Sequence, residues 1–424
     1  MKNTLSHLNT KLLRIIRTVG KEADRRKLPA YVVGGAVRDI LLGKRNLDLD
    51  FSFEGNAITL AKVLAKKSKA RLIIYKEFKT ASLRWPGGIR VDLATARKER
   101  YAHSGALPAV VAGTLREDLL RRDFTINAMA IAINANGFGQ LIDEFGGLRD
   151  LSGKKIRVLH DQSFIDDPTR ILRAVRFEQR LGFQIERKTL IWMKSALRTN
   201  MDSHVKPPRY FAEFKKNLCE ENPLKSLKRL HDMGGLRFLN VRPKFHFQEL
   251  SRMRGRIQKV RRKLPYMEYD HWWLVYFIGF ITRCSDRDIN RLLGRLPFTK
   301  TEQKSVHQSR KSRDLIKRLS STHLTASQAY QVLKPLTAGS ISYLRVCTSN
   351  TVVCRRIDRY LSGDIHVKLK INGEDLKRIG IPSGVKMGKI LESVLCSKID
   401  RHIRSKRDEL KKALQLAGKM SNSN

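Results

Sequence analysis

The sequence predicts an α+β protein, with a mixed sheet and helices in its first part and helices through the remainder. Up to about residue 160, short β-branched runs (LDLDFSF, ARLIIY, TASLRW, GIRVDLAT, KIRVL) are separated by glycines and helical stretches. Beyond it the strand signal fades, and amphipathic runs broken by Pro, Gly or Asn continue to about residue 360. The expected layout is a head over residues 1–160, a helical neck over 161–245, a helical body over 246–360 and a small basic module over 361–424.

Element by element, Leu5, Leu8, Leu12, Ile15 and Ile16 recur at helical spacing, and Leu28-Pro29 stops that helix before the strand-like YVVGG. AVRDILLG then reads as a helix and LDLDFSF as a strand with Leu47, Leu49 and Phe51 toward the core. NAITLAKVLAKKSK and FTINAMAIAI both read as helices. Near the end, DIHVKLKINGEDLKRIGIPSGVKMGKILESVL returns to a strand-like run and a glycine-punctuated turn before a last basic helix.

Composition narrows the function. The chain has 424 residues, 41% of them apolar, enough for a substantial core. Lys and Arg number 85 against 40 Asp and Glu, a formal charge of +45 that suits a polyanionic partner. Basic residues alternate with apolar ones throughout, as in SRMRGRIQKVRRKL, so the charge lies on folded helices and nucleic acid is the expected partner. The longest apolar stretch, within YDHWWLVYFIGFITR, is too short to span a membrane, and the charged N-terminus does not read as a secretory signal. Five cysteines without CxxC spacing fit reduced thiols, so a cytoplasmic protein is expected, without a membrane and with no protein partner predicted.

Asp48 and Asp50 stand two apart in a strand, so both carboxylates share one face. That pair alone fits a solvated strand edge as well as a cradle for divalent metal. Gly34 and Gly35 precede it, ending a strand and opening a helix that carries Arg38. Glycine lets a backbone approach phosphate closely, and the arginine adds a charge-assisted hydrogen bond. Together they form a device for a metal-bound nucleoside triphosphate.

Four ordered stretches carry a resemblance: VGGAVRDILLGKRNLDLDFSF, EDLLRRDFTINAMA, IDEFGGLRDLSGKKIRVLH and SFIDDPTRILRAVRFEQRLGF. In order and spacing they resemble the motifs of the class II tRNA nucleotidyltransferase (CCA-adding enzyme) and bacterial poly(A) polymerase family. The resemblance implies a DNA polymerase β-like head followed by neck, body and tail. It implies that Asp48 and Asp50 bind two Mg2+ ions for attack of an RNA 3′-hydroxyl on the nucleotide α-phosphate. Asp92, of matching strand parity, is the candidate third carboxylate, although pairing with Arg90 or Arg97 would look the same. Arg122 and Asp123 match the motif that contacts nucleotide phosphate or ribose, and Asn127, four residues on, is placed to support Asp123.

The run DDPTRILRAVRF sets Asp167, Arg170, Arg173 and Arg176 at steps of three along a helix face. Cytosine and adenine both present an amino donor beside a ring-nitrogen acceptor; uracil and guanine present a carbonyl beside a ring N–H. Asp167 accepting from the amino group and Arg170 donating to the ring nitrogen would select CTP and ATP without a nucleic-acid template. The resemblance assigns the same two positions this role, and continues Arg173 and Arg176 to the nucleotide. The expected activity is addition of C and/or A (CCA, CC only or A only) to a tRNA 3′ end, with CTP, ATP and tRNA as partners. A poly(A) polymerase and a non-catalytic RNA-binding protein are the alternatives.

Overall fold

The computed structural model describes residues 4–44, 48–100, 103–106, 109–241, 246–263 and 272–421. Two compact units divide the chain at residues 239 and 240. In the first, a seven-stranded mixed sheet is built from β1 (Ala30–Val33), β2 (Asp48–Phe53), β3 (Arg71–Tyr75), β4 (Thr80–Arg84), β5 (Arg90–Thr95), β8 (Ala130–Ala132) and β9 (Leu141–Ile142). Its order is β3-β4-β5-β2-β1-β8-β9, with β6 (Arg97–Arg100) and β7 (Ala109–Ala112) forming a separate hairpin.

Strand parity decides what each face does. Leu49 and Phe51 of β2, Ala81 and Leu83 of β4, and Val91 and Leu93 of β5 are all buried. They face α3 (Ala57–Ser68), which packs on β3, β4 and β5 and against α1 (Thr10–Asp24). Asn9 caps α1 by accepting from the Leu12 N–H, and Leu12, Ile15, Ile16 and Val19 bury its apolar stripe. Gly20 lets α1 lie directly on the carbonyl of Ile133, where any Cβ would overlap it. The alternate residues, Asp48 and Asp50 among them, are left on the opposite face of the sheet.

The strand in LDLDFSF begins at Asp48; Leu47 lies outside the described residues. FTINAMAIAI departs from the helical expectation. It forms a 3-10 turn (Thr125–Asn127) and then β8, which pairs with β1 through Val32 opposite Ile131. Residues 128–133 are buried on both sides, so the run has no alternation, and periodicity cannot tell such a strand from a buried helix. KIRVL contributes only β10 (Lys155–Ile156), parallel to β11 (Gln184–Ile185).

Helices complete the first unit: α2 (Gly35–Leu41), α4 (Leu115–Leu120), α5 (Gly147–Ser152), α6 (Ser163–Asp166), α7 (Thr169–Leu181), α8 (Arg187–Arg198), α9 (Pro207–Leu218) and α10 (Pro223–Asp232). The described part of the second unit is helical from Phe247–Lys263 to Lys406–Ser421. The strand expected in DIHVKLK is not formed. The N–H groups of Lys370 and Ile371 donate instead to the buried carboxylate of Glu409, at 2.7 and 3.0 Å, so a side chain takes the place of a partner strand. Among the described residues, no helix is long and apolar enough to cross a membrane.

Candidate active site

The carboxylates come first. β2 and β5 run parallel with Asp50 directly opposite Asp92 and Asp48 opposite Arg90. Burial pushes the Asp50 carboxyl up to about 6; Arg122 opposes that rise, while the charges of Asp92 and Asp48 add to it. Asp92 is a third exposed and bonded to Arg90, 2.9 Å away. Asp92 therefore lies opposite Asp50, as a third carboxylate would, and also makes the Arg90 pair that is the alternative account of it. Among the described residues, no three carboxylate, imidazole or thiol groups gather as a metal cluster.

The glycine pair serves a different contact from a plain turn. Gly34 has φ of 72°, and a Cβ there would lie 2.5 Å from Nη1 of Arg122 and 4.0 Å from Oδ2 of Asp50. Its bareness thus admits the Arg122 guanidinium beside the aspartates. Arg122 is placed by α4, whose capping box (Thr114 and Glu117) fixes its start, and by the fully buried Asp118, which accepts from Arg122 at 2.8 Å and Arg121 at 2.7 Å.

Asp123 lies at the centre of a buried network. Its Oδ1 accepts from the Phe124 N–H and the Asn127 amide, both at 2.9 Å, and its Oδ2 accepts from Nε of Arg173 at 2.8 Å. Oδ1 of Asn127 in turn accepts from Arg38 at 2.6 Å. Burial alone would raise the Asp123 carboxyl, but the Arg173 charge and the Asn127 hydrogen bond outweigh it and hold the group at about 2. Asn127 reaches Asp123 as expected, across a 3-10 turn and not along a helix face.

On α7 the four-residue stripe divides. Arg170 is buried, donating to Oγ of Ser163 at 2.5 Å and to the Arg121 carbonyl at 2.8 Å. Asp167, just before the helix, accepts from the N–H and hydroxyl of Thr169 and pairs with Arg209 of α9 at 2.8 Å. Arg176 lies between Glu213 and Glu220, each 3.6 Å away. The guanidinium carbons of Arg38, Arg173, Arg176 and Arg180 stand 5.1 to 5.6 Å from the centre of the Phe177 ring.

These side chains line one cleft of about 770 Å³. Gly35, Arg38, Asp48, Asp50, Arg122, Asp123, Asn127, Asp167, Arg170, Arg173 and Arg176 all reach it. Gly34 lies behind Arg122, and Asp92 lines an adjoining hollow. Arg121, Phe177, Arg180, Arg209 and Lys216 also line the cleft and were not singled out from sequence; Arg97, named there only as a partner for Asp92, lines it too and pairs with Glu99. Arg180 continues the Arg176 face four residues on, a legible signal; Arg209 and Lys216 come from another helix and carry none. The buried Nε donors of Arg97, Arg122 and Arg176 have no hydrogen-bond partner among the described residues, and all three residues border the cleft. Buried donors of that kind call for an acceptor. Acidic oxygens at one side and unsatisfied guanidinium donors around them suit a polyphosphate carrying a divalent cation.

Comparisons with known proteins agree with that chemistry. Residues 30–157 match the family described as the poly A polymerase head domain. The chain is 36% identical over 421 residues to the A-adding tRNA nucleotidyltransferase of Geobacter sulfurreducens, covering 97% of this chain and 48% of that protein. It spans, then, about half the length of that relative. It is 32% identical over 411 residues to the A-adding tRNA nucleotidyltransferase of Halalkalibacterium halodurans, covering 94% and 91%. The CC-adding tRNA nucleotidyltransferase of Deinococcus radiodurans is 38% identical over 203 residues, covering 48% of this chain and 53% of that protein. Among solved structures, an apo CCA-adding enzyme superposes with a TM-score of 0.74 at 36% identity, covering 97% of both chains. The Thermotoga maritima CCA-adding enzyme complexed with tRNA gives 0.67 at 34%, also covering 97% of both.

Proposed function

The chain belongs to the class II tRNA nucleotidyltransferases of the polymerase β-like superfamily, and on that premise we propose that it adds C and/or A to the 3′ end of tRNA from CTP and ATP without a nucleic-acid template. The observation that carries this is the single cleft in which the Asp48/Asp50 pair meets Asp167 and Arg170 among partnerless guanidinium donors. Curated relatives aligned across nearly the whole chain bear the A-adding name and solved structures aligned as fully bear the CCA-adding name, so the proposal spans terminal A addition and full CCA addition.

Family membership implies dependence on a divalent metal, and the donor set fits one. Burial raises the Asp50 carboxyl, and the charges of Asp92 and Asp48 add to that rise against the opposing Arg122 and Arg90, so a cation beside the pair would relieve it. Hard carboxylate oxygens on one strand face suit Mg2+, which we propose as the ion held by Asp48 and Asp50. The bound ions would supply activation of the RNA 3′-hydroxyl and charge stabilisation on the departing pyrophosphate. The chain's own groups do the rest. Arg122, Arg173 and Arg176 orient phosphates, and Arg38 is held by Asn127 and the Phe177 ring. Asp167 and Arg170, fixed by Arg209, Thr169 and Ser163, offer an acceptor and a donor to the base edge. The basic segments 246–360 and 361–424 are proposed to hold the tRNA backbone. Five free thiols and a tRNA substrate fit work in the cytoplasm.

The test incubates the protein with Mg2+, single NTPs, and tRNAs ending before CCA, after CC and after CCA, beside an unstructured RNA. Limited C or A addition to tRNA is expected. Long A tails on either RNA would replace this reading with a poly(A) polymerase, and no extension by folded protein would sink both.

A further inference from the structure

The sheet face that carries Asp50 extends, uncovered by α3, across four strands to an edge. Register places its outward side chains in three rows. Asp48 is followed by Arg90, Arg84 and Arg71; Asp50 by Asp92, Ser82 and Ile73; Ser52 by Ala94, Thr80 and Tyr75. β3 is the edge strand, and its Ile73 and Tyr75 are 46% and 47% exposed.

The first row is costly as it stands. Three arginines lie directly opposite one another on adjacent strands, and like charges so placed destabilise a sheet. Arg90 has Asp92. Arg71 and Arg84 are exposed and have no carboxylate partner among the described residues. A polyanion laid along the row reverses that cost, and exposed Tyr75 and Ile73 two rows or fewer away offer base-stacking surface. Beside them, a hollow of about 250 Å³ is lined by Tyr75, Thr80, Ser82, Asp92, Asp50 and Arg122, among others. Asp50 and Arg122 border both this hollow and the larger cleft, so the aspartate is approached from two sides. With strands about 4.8 Å apart, the path from Asp50 to Ile73 is about 14 Å, enough for a short single-stranded end and too little surface for a duplex.

We propose that this face, with Arg71 and Arg84 on phosphates and Tyr75 against a base, is the track that holds the single-stranded 3′ end of the acceptor RNA while the nucleotide occupies the larger cleft. The assignment rests on the nucleotidyltransferase reading above, since it needs a 3′-hydroxyl delivered to Asp50.

The test uses the full chain and two labelled tRNAs, one ending in CC and one trimmed of its single-stranded 3′ end. Wild type binds the first more tightly. In Arg71→Gln/Arg84→Gln that advantage disappears, and the slope of log affinity against log salt falls by about 1.4, the share of two phosphate contacts on a single strand. Tyr75→Ala weakens the CC-ended tRNA roughly tenfold at unchanged salt slope. Arg71→Lys/Arg84→Lys keeps the charge and restores the slope, which separates loss of contact from misfolding; thermal unfolding of each variant confirms the fold. If the glutamine variant retains both the advantage and the slope, the track is wrong. It is equally wrong if the only change in that variant is self-association, which would make the arginines guards of an exposed edge. ATP incorporation by wild type is scored separately, so that a protein binding the single-stranded end without extending it overturns the enzyme reading and not the track.

Discussion

Asp123 and Arg173 are joined by an ion pair, Oδ2 to Nε at 2.8 Å, that ties the turn after α4 to the middle of α7 beneath the cleft. Both groups are largely buried, so the pair locks the two motifs in place and takes its energy from a low-dielectric setting. A carboxyl held at about 2 against an ordinary value of 3.8 contributes stability that is fully present above pH 4 and is lost as pH falls toward 2. The shift corresponds to about 2 kcal/mol. Urea unfolding of wild type and Asp123→Asn between pH 6 and 2 should show a gap that narrows by about that amount below pH 4. A gap independent of pH would mean that Asp123 does not contribute through its charge.

Asp48→Ala and Asp50→Ala should each abolish nucleotide incorporation while leaving tRNA affinity near wild type, because in the proposed mechanism the aspartates hold cation and not RNA. The loss should exceed the roughly 10–100-fold that removal of a metal site's outer partner costs. Chelation of divalent metal should stop wild type in the same way, with activity returning on Mg2+ addition. Incorporation that persists in Asp50→Ala would remove the metal assignment.

Arg209 makes base selection testable from a second position. It holds Oδ2 of Asp167, and its other nitrogen donates to the carbonyls of Gly105 and Ala106 at 3.2 and 3.3 Å. Asp167→Ala should relax the preference for CTP and ATP over UTP and GTP by about 1–3 kcal/mol, the size of one well-made bidentate base contact. Arg209→Gln should raise KM for CTP and ATP more than it lowers kcat, since it disturbs the carboxylate's aim and leaves Asp167 in place. Selectivity unchanged in both variants would mean that the base is read elsewhere.

How much of this was legible in the sequence follows from what kind of pattern each feature leaves. Asp48 and Asp50 alternate with buried Leu49 and Phe51, a period-2 signal that placed them on one face. The steps of three from Asp167 to Arg176 pointed to residues that all line the cleft, although Asp167 stands before α7 and Arg170 is buried. What stayed hidden was contact between distant segments. No spacing announces that Arg209 reaches Asp167 over 42 positions, or that Gly34 is bare to admit Arg122. β8 was hidden for a different reason: both its faces are buried, so Ala130, Ile131 and Ala132 show no period at all. The strand-like HVKLK failed because a strand is defined by its partner, and here that place is taken by a carboxylate.

That carboxylate yields the last prediction. Glu409 is fully buried, and besides the Lys370 and Ile371 N–H groups it accepts from Nζ of Lys398 at 2.5 Å. Glu409→Leu keeps the volume and removes every acceptor, leaving two backbone donors without a partner and the Lys398 ammonium with only the Lys368 carbonyl, 2.7 Å away. At about 1–3 kcal/mol for each buried group left unsatisfied, the second unit should lose roughly 2–5 kcal/mol. Glu409→Gln keeps one carbonyl acceptor and should lose less. Hydrogen exchange at the Lys370 and Ile371 amides gives the local readout, faster by orders of magnitude in the leucine variant. Head-only properties such as ATP binding should not move. Slow exchange retained at both amides would show that the segment is held by something other than Glu409.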